Sequence, residues 1–306
     1  MESIQNAWRR IDGWLKAYAP HVQQGLNAGV SEEEIQQKEA AIGVPLPEDF
    51  KSSYRIHNGS HSRYDGTSGS QYALMGCDAF YPLTRVVGGE AGVYQDLLQD
   101  ADWASQTPGW VSDPTRPPLP VQPVWRHPLW LTFAEHLGWL EWCLDLAPAP
   151  GGHLGQIISW DHEDGPQEVL FSSFEELLSS YADGVEAGLW LGACGSVAAL
   201  KQTQLKERRA SFLSPSPAKP VLLQAIQLAW SNSLDESLRR FGQVLQMPEA
   251  SPEDRFQAYY GLICLTGIYP GGTSPKEAQH FLAQWEAETH TLPETHWARQ
   301  ELALFT

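Results

Sequence analysis

With 306 residues, 42% of them apolar and 13 of them tryptophan, the chain is long enough and apolar enough to fold around its own core, as one extended domain or two. Four cysteines lie far apart with no CxxC pair, and no apolar run approaches the roughly 20 residues of a membrane span; a disulfide scaffold and an integral membrane protein are excluded, and a reduced, cytoplasmic setting is expected. The formal charge of −17 is lopsided: residues 1–200 carry 26 Asp and Glu against 10 Lys and Arg, a net −16, while residues 201–306 carry 11 against 10, so nucleic acid and anionic membrane are poor partners and a basic protein or cationic ligand is a good one.

The first stretch, "MESIQNAWRRIDGWLKAY", puts charges through its apolar positions and does not read as a signal peptide. Ile4, Trp8, Ile11, Leu15 and Tyr18 recur at spacings of four and three, one stripe of an amphipathic helix that Pro20 stops. Ser31 with Glu34 forms a capping box for a second helix, with Ile35 and Ile42 on one face and Gly43 as its left-handed stop. Pro47 is expected at the first position of a third helix, Phe50 and Tyr54 on its buried face, and Asn58-Gly59 at its end. The Asn58-Gly59-Ser60 glycosylation pattern is then unused.

Between 72 and 171 the pattern changes to short apolar runs separated by Gly, Pro and Asp. "QYALMG", "WLTFAE", "GWLEWCLDL", "GQIISW" and "QEVLF" read as the strands of a meandering antiparallel sheet. In the third run Trp139, Glu141, Cys143 and Asp145 alternate with Leu140, Trp142, Leu144 and Leu146, which predicts one buried face. "RVVGGEAGVYQDLLQDADWASQ" is expected to begin as a loop and become a helix, whereas "DPTRPPLPVQP" is too rich in proline for either regular element. "SSFEELLSSYADGVEAGLW" closes the unit as a helix with Phe174, Leu177, Leu178, Tyr181 and Val185 inward.

Beyond it the organisation expected is a linker over 193–219 and an all-α extension over 220–306. There Leu234, Leu238, Phe241 and Leu245 form a stripe, and "SPED" and "SPKE" each open a helix with a Ser cap, a Pro and an acid. The two starts are 23 residues apart, too close for the 34-residue helix-pair repeat, and three to five packed helices suffice.

No catalytic constellation emerges: there is no nucleophile elbow, no P-loop and no zinc helix motif, and neither a catalytic residue nor a cofactor is expected. "DHEDG" at 161–165 gathers Asp161, His162, Glu163 and Asp164, but a calcium loop needs acids continued at alternate positions and a distant closing Glu, so the stretch reads as a hairpin turn. His57, His61 and His136 lack the helical i,i+4 pairing of zinc ligands, so no metal is expected either. Tryptophans beside loops, such as Trp103, Trp110, Trp125 and Trp160, are either core or aromatic anchors of a binding surface; Asp96, Asp100, Asp102 and Asp113 flank two of them.

The order of the motifs is informative where each alone is not. "SEEEIQQKEAAIGVPLPEDFKSSYRIHNG" resembles the signature of the SUKH superfamily, through Glu39, Gly43, Leu46, Pro47, Phe50, Tyr54, Asn58 and Gly59. Trp125, Asp145 and "PAPGGHLGQIISW", with Pro148, Gly152, Gly155 and Gln156, are similar to the family's second block, and the closing helix to its last. The resemblance covers about residues 3–190 and leaves the extension over 220–306 unassigned.

It implies an α+β fold: a twisted, mostly antiparallel sheet backed by helices in residues 1–192, with no catalytic residues to carry over. The family joins fungal cell-wall-synthesis regulators with bacterial immunity proteins that neutralise secreted toxins. Combined with the acidic charge, this leads to the expectation of an immunity protein that occludes a cognate, basic toxin domain. Asp96, Asp100, Asp102, Asp161, Glu163 and Asp164 would be its acidic contacts, and Trp103 and Trp110 its anchors. A scaffold or regulator of cell-wall or stress signalling ranks second, because the long disordered flanks of fungal members are not expected here. An enzyme or glycan binder that uses carboxylates and exposed tryptophans ranks third. The oligomeric state is left open.

Overall fold

A computed structural model of the chain describes residues 2–60, 74–75, 77, 79–87, 107–112, 118–136, 140–191, 205–268, 275–294 and 296–303. The fold is α+β: antiparallel sheets and helices, followed by a helical C-terminal region. It divides into two compact units, one of Met1–Arg10 with His21–Ser179 and one of Ile11–Pro20 with Ser180–Thr306.

The first unit begins with α1 (Ile4–Tyr18), which runs on into the second, and α2 (Pro20–Gln24), so Pro20 both ends one helix and starts the next. Strand β1 (Leu26–Ala28) precedes α3 (Glu32–Ile42) and α4 (Glu48–Tyr54). The expected capping box is present: the Ser31 hydroxyl accepts from the Glu34 N–H, the Glu34 carboxylate accepts from the Ser31 N–H, and Gly43 closes the helix at φ 75°. Two details of the next corner differ. Pro47 is the residue before α4, at φ −57° and ψ 143°, and α4 ends at Tyr54.

Asn58-Gly59 does not end that helix; it lies in strand β2 (His57–Ser60), antiparallel to β1. The Asn58 side chain accepts from the Leu83 N–H at 2.7 Å, and its carbonyl accepts from Asn27 Nδ2 at 2.9 Å. Gly59 has φ 72°, and a Cβ there would stand 2.5 Å from Pro82 N. The dipeptide is thus a backbone crossing that only glycine allows, not a helix stop.

Strands β3 (Ala79–Phe80), β4 (Trp130–His136), β5 (Leu140–Asp145), β6 (Gln156–Asp161) and β7 (Gly165–Phe171) pair antiparallel in sequence order, as a meander. A short helix α5 (Leu83–Val86), a 3₁₀ turn (Gly109–Ser112) and then α6 (Phe174–Glu186) complete the chain up to the second unit. One sheet face carries Phe133 and Trp142, and Phe133 meets Phe50 of α4 at 6.3 Å and Phe174 of α6 at 5.1 Å between ring centroids.

The other face is not open, as alternation in "GWLEWCLDL" predicted; residues 141–145 are all buried. The proline-rich segment 118–127 covers it without regular structure. Val121 and Trp125 pack on Trp130, Cys143, Ile158 and Trp160, with Trp125 and Trp160 edge to face at 4.6 Å. Prolines keep such a segment extended and spare it backbone donors that would need partners in a buried layer.

In the second unit, α7 (Leu205–Leu213) lies inside the stretch expected to be linker, and α8 (Lys219–Trp230), α9 (Leu234–Leu245), α10 (Pro252–Ile263), α11 (Pro275–Thr289) and α12 (Trp297–Leu302) follow. "SPED" opens α10 as expected, with a full Ser251–Asp254 capping box and Pro252 in the first turn. In α9 the Leu234 side chain is exposed, and the buried face runs through Ser237, Phe241 and Val244. The stripe is thus rotated by part of a turn from the leucines that marked it.

Candidate interaction surface

The two motif blocks meet in space. In the corner 43–47 the Glu39 carboxylate accepts from the Leu46 N–H at 2.8 Å and pairs with Lys51 at 3.3 Å, which fixes Leu46 in the core and leaves Pro47 half-buried. In the second block, Asp145 ends β5 with its Oδ1 accepting from the Ala147 N–H at 2.8 Å. Gln156 starts β6 and makes three bonds: Nε2 donates to Asp145 Oδ2 at 2.8 Å and to Pro120 O at 2.9 Å, and Oε1 accepts from the His153 N–H at 3.0 Å. The backbone closes the loop with Gly155 N–H to Asp145 O at 2.8 Å.

The glycines are there for space. A Cβ on Gly152 would lie 2.5 Å from Pro120 O, and one on Gly155, at φ 83°, would lie 2.7 Å from Pro47 Cγ. Loop 146–155 is therefore pinned on one side by Pro120 and on the other by the 43–47 corner. What it presents is Leu154, 60% exposed at its tip, with Pro150 and His153 also in solvent. Among the described residues Leu154 is the most exposed large apolar side chain, ahead of Leu213, Val111 and Leu234. Burial raises the Asp145 carboxyl above its ordinary value, opposed by the bonds from Ala147 and Gln156.

Behind the loop lies a closed polar cluster. Arg126, 2% exposed, pairs with Glu141 at 2.9 Å and donates to Thr132 Oγ1 at 2.6 Å, and Thr132 donates to Glu141 at 2.6 Å. The guanidinium stacks on Trp160 at 4.6 Å and lies 3.4 Å from Cys143 Sγ. Burial pushes the Cys143 thiol up to about 11, so it is a poor nucleophile. With every member sealed from solvent, this cluster is built to hold segment 118–127 on the sheet rather than to meet a substrate.

The site residues expected from sequence scatter differently. Asp161 is half-buried and serves the β6–β7 turn, its Oδ1 accepting from the Glu163 N–H at 2.7 Å and the Asp164 N–H at 3.3 Å. Glu163 and Asp164 are exposed on that turn. Asp96, Asp100, Asp102 and Trp103 lie outside the described residues, and Trp110 falls in the 3₁₀ turn with its side chain outside them. Trp125 and Trp160 belong to the core. His57 packs edge-on against Trp8 at 4.7 Å. No group of three or more His, Cys, Asp or Glu side chains among the described residues could hold a metal ion, and no helix among them is long and apolar enough to cross a membrane.

Pinned loop, paired motif blocks and meander together define a SUKH-1 domain: residues 29–180 match the SMI1 / KNR4 family (SUKH-1), and the family match does not extend into the helical C-terminal region. The chain is 29% identical to the cell wall assembly regulator SMI1 of Saccharomyces cerevisiae, over 60% of its own length and 41% of that protein's. It is 24% identical to the glucan synthesis regulatory protein of Neurospora crassa over 70% and 43%, and 26% identical to the cell wall biosynthesis/cell cycle regulator smi1 of Schizosaccharomyces pombe over 61% and 37%. It thus spans about two fifths of the length of these relatives. The expectation of a toxin-immunity protein is overturned: these three relatives are fungal regulators of the cell wall, which favours the second-ranked reading of a regulator. Net negative charge had favoured that reading, but it constrains the sign of a partner and not its identity.

Proposed function

We propose that the chain is a non-catalytic regulator of the cell-wall or stress-signalling kind, acting inside the cell by binding other proteins through its SUKH-1 domain. Its similarity to fungal regulators of cell wall assembly and glucan synthesis supports the regulatory class. The observation that carries the mode of action is Leu154, 60% exposed on a loop that Gln156, Asp145 and two glycines hold in one conformation. A pre-ordered loop loses little entropy on association, so an apolar tip there contributes more affinity than the same side chain on a mobile one. The exposed acids Glu163 and Asp164, with the net −16 of residues 1–200, would steer a basic partner toward the domain without forming the anchor.

The test is affinity capture from cells that express the wild type or Leu154→Asp at equal levels, read by quantitative mass spectrometry, with cell-wall glucan content measured in parallel. The expected result is loss of the same captured proteins and the same change in glucan that deletion produces, at an unchanged melting temperature. Capture and glucan unaffected by Leu154→Asp would refute the assignment of this surface.

A further inference from the structure

The helical unit is built around the segment that opens it. Helix α6 ends in a Schellman motif: Gly188, at φ 68°, donates its N–H to Val185 O at 3.1 Å, and the Leu189 N–H reaches back to Gly184 O at 3.0 Å. Four successive carbonyls from there on are each met by a side chain. Arg208 Nε of α7 donates to Ala187 O at 3.4 Å, Gln257 Nε2 of α10 to Gly188 O at 2.6 Å, the Tyr260 hydroxyl of α10 to Leu189 O at 2.7 Å, and Trp230 Nε1 of α8 to Trp190 O at 3.1 Å. Arg208 Nη2 in turn donates to Gln257 Oε1 at 2.9 Å, which orients both donors.

All four donors are buried, and so are Ala187, Leu189, Trp190 and Leu191. Upstream, Arg209 of α7 pairs with Asp183 at 3.6 Å and with Glu186. A chain connection ordinarily runs over the surface, where water meets its carbonyls. Burying a guanidinium, an amide and two ring donors to read one stretch of backbone costs desolvation that only an occupied groove offsets. Carbonyl recognition with flanking pockets for alternate side chains is the logic by which receptors hold peptides: the backbone gives affinity and the pockets give selectivity.

We propose that helices α7, α8 and α10 form a peptide receptor whose ligand is a helix-ending segment with two acids three residues apart followed by Ala-Gly-Leu-Trp, and that residues 180–191 occupy it in cis. A second copy of this chain carries the identical segment and is the competitor for the same donors.

The test uses the full chain with Leu189→Asp and Trp190→Ala, which weaken the resident segment and leave the donors intact, and a fluorescein-labelled peptide of residues 180–191 as probe. Anisotropy is expected to show saturable binding to the variant and none to the wild type at the same concentrations. Adding Gln257→Ala to the variant should weaken binding about tenfold, through one buried hydrogen bond and the orientation of Arg208. Should the variant lose helicity by circular dichroism, saturating peptide must restore it. The proposal is overturned if a folded variant binds no peptide, if a partly unfolded one is not rescued, if wild type and variant bind equally, or if Gln257→Ala leaves binding unchanged.

Discussion

Gln156→Ala removes three hydrogen bonds at once and leaves the buried Asp145 carboxylate, the Pro120 carbonyl and the His153 N–H to find water or go without. One of the three is charge-assisted, at roughly 1.5–3 kcal/mol, and two are neutral, at roughly 0.5–1.5 kcal/mol each. The sum spans roughly 2.5–6 kcal/mol, and since water replaces part of what is lost the lower end applies, about 3 kcal/mol, or about a hundredfold in the equilibrium between the closed and open loop. Native-state hydrogen exchange at the amides of Ala147, Gly155 and Gln156 reads that equilibrium directly, and the protection of these amides should fall by about two orders of magnitude.

The deficit should also depend on pH. Burial lifts the Asp145 carboxyl above its unfolded value, so the fold binds this proton more tightly and lowering the pH through that interval favours the fold. Gln156 stabilises the charged form, so its loss is felt most at neutral pH, where Asp145 is ionised, and shrinks as the carboxyl takes its proton in acid. A loss of protection below about fivefold, or one equal at pH 7 and pH 4.5, would refute the role given to this pair.

Gly155→Ala should cost about 2–3 kcal/mol, since it combines a positive φ with a clash against Pro47, while Gly151→Ala, whose nearest neighbour would be 4.0 Å away, should cost only the conformational strain of about 1 kcal/mol; urea unfolding followed by tryptophan fluorescence separates them. Glu141→Ala leaves Arg126 as an uncompensated buried charge and should destabilise the SUKH-1 domain by roughly 3–5 kcal/mol in the same assay, and a loss under 1 kcal/mol would mean that the pair is solvated. Cys143, buried with its thiol pushed up to about 11, should resist iodoacetamide at pH 8 in the native protein and react once urea exceeds the unfolding midpoint, as peptide mapping would show.

The elements with local signals were legible in the sequence. The Ser31–Glu34 and Ser251–Asp254 boxes were read from side chains three residues apart, and Phe174, Leu177, Leu178, Tyr181 and Val185 marked a buried helical face that the structure keeps. What was not legible depends on residues far apart in the chain. Asn58-Gly59 has the composition of a helix stop, and its use as a crossing beneath Tyr81 and Pro82 follows from contacts more than 20 residues away. The alternation in β5 implied one open face because the cover, segment 118–127, is irregular and carries no periodicity. Glycine and glutamine in "PGGHLGQ" identified the family but gave no hint that they serve to hold Leu154 outward. Acidic residues drew attention to the β6–β7 turn because charge is visible in a sequence, whereas a single leucine's exposure is not.

The central claim is that the SUKH-1 domain meets its partners at Leu154. A photo-crosslinking amino acid placed at position 154 of the full chain, in living cells of its host, tests this most directly, with position 151 on the same loop as a second probe. The account predicts discrete adducts with cell-wall or signalling proteins from position 154, abolished by Gly155→Ala, which disorders the loop behind it. A folded, abundant protein that yields no adduct from either position would contradict it.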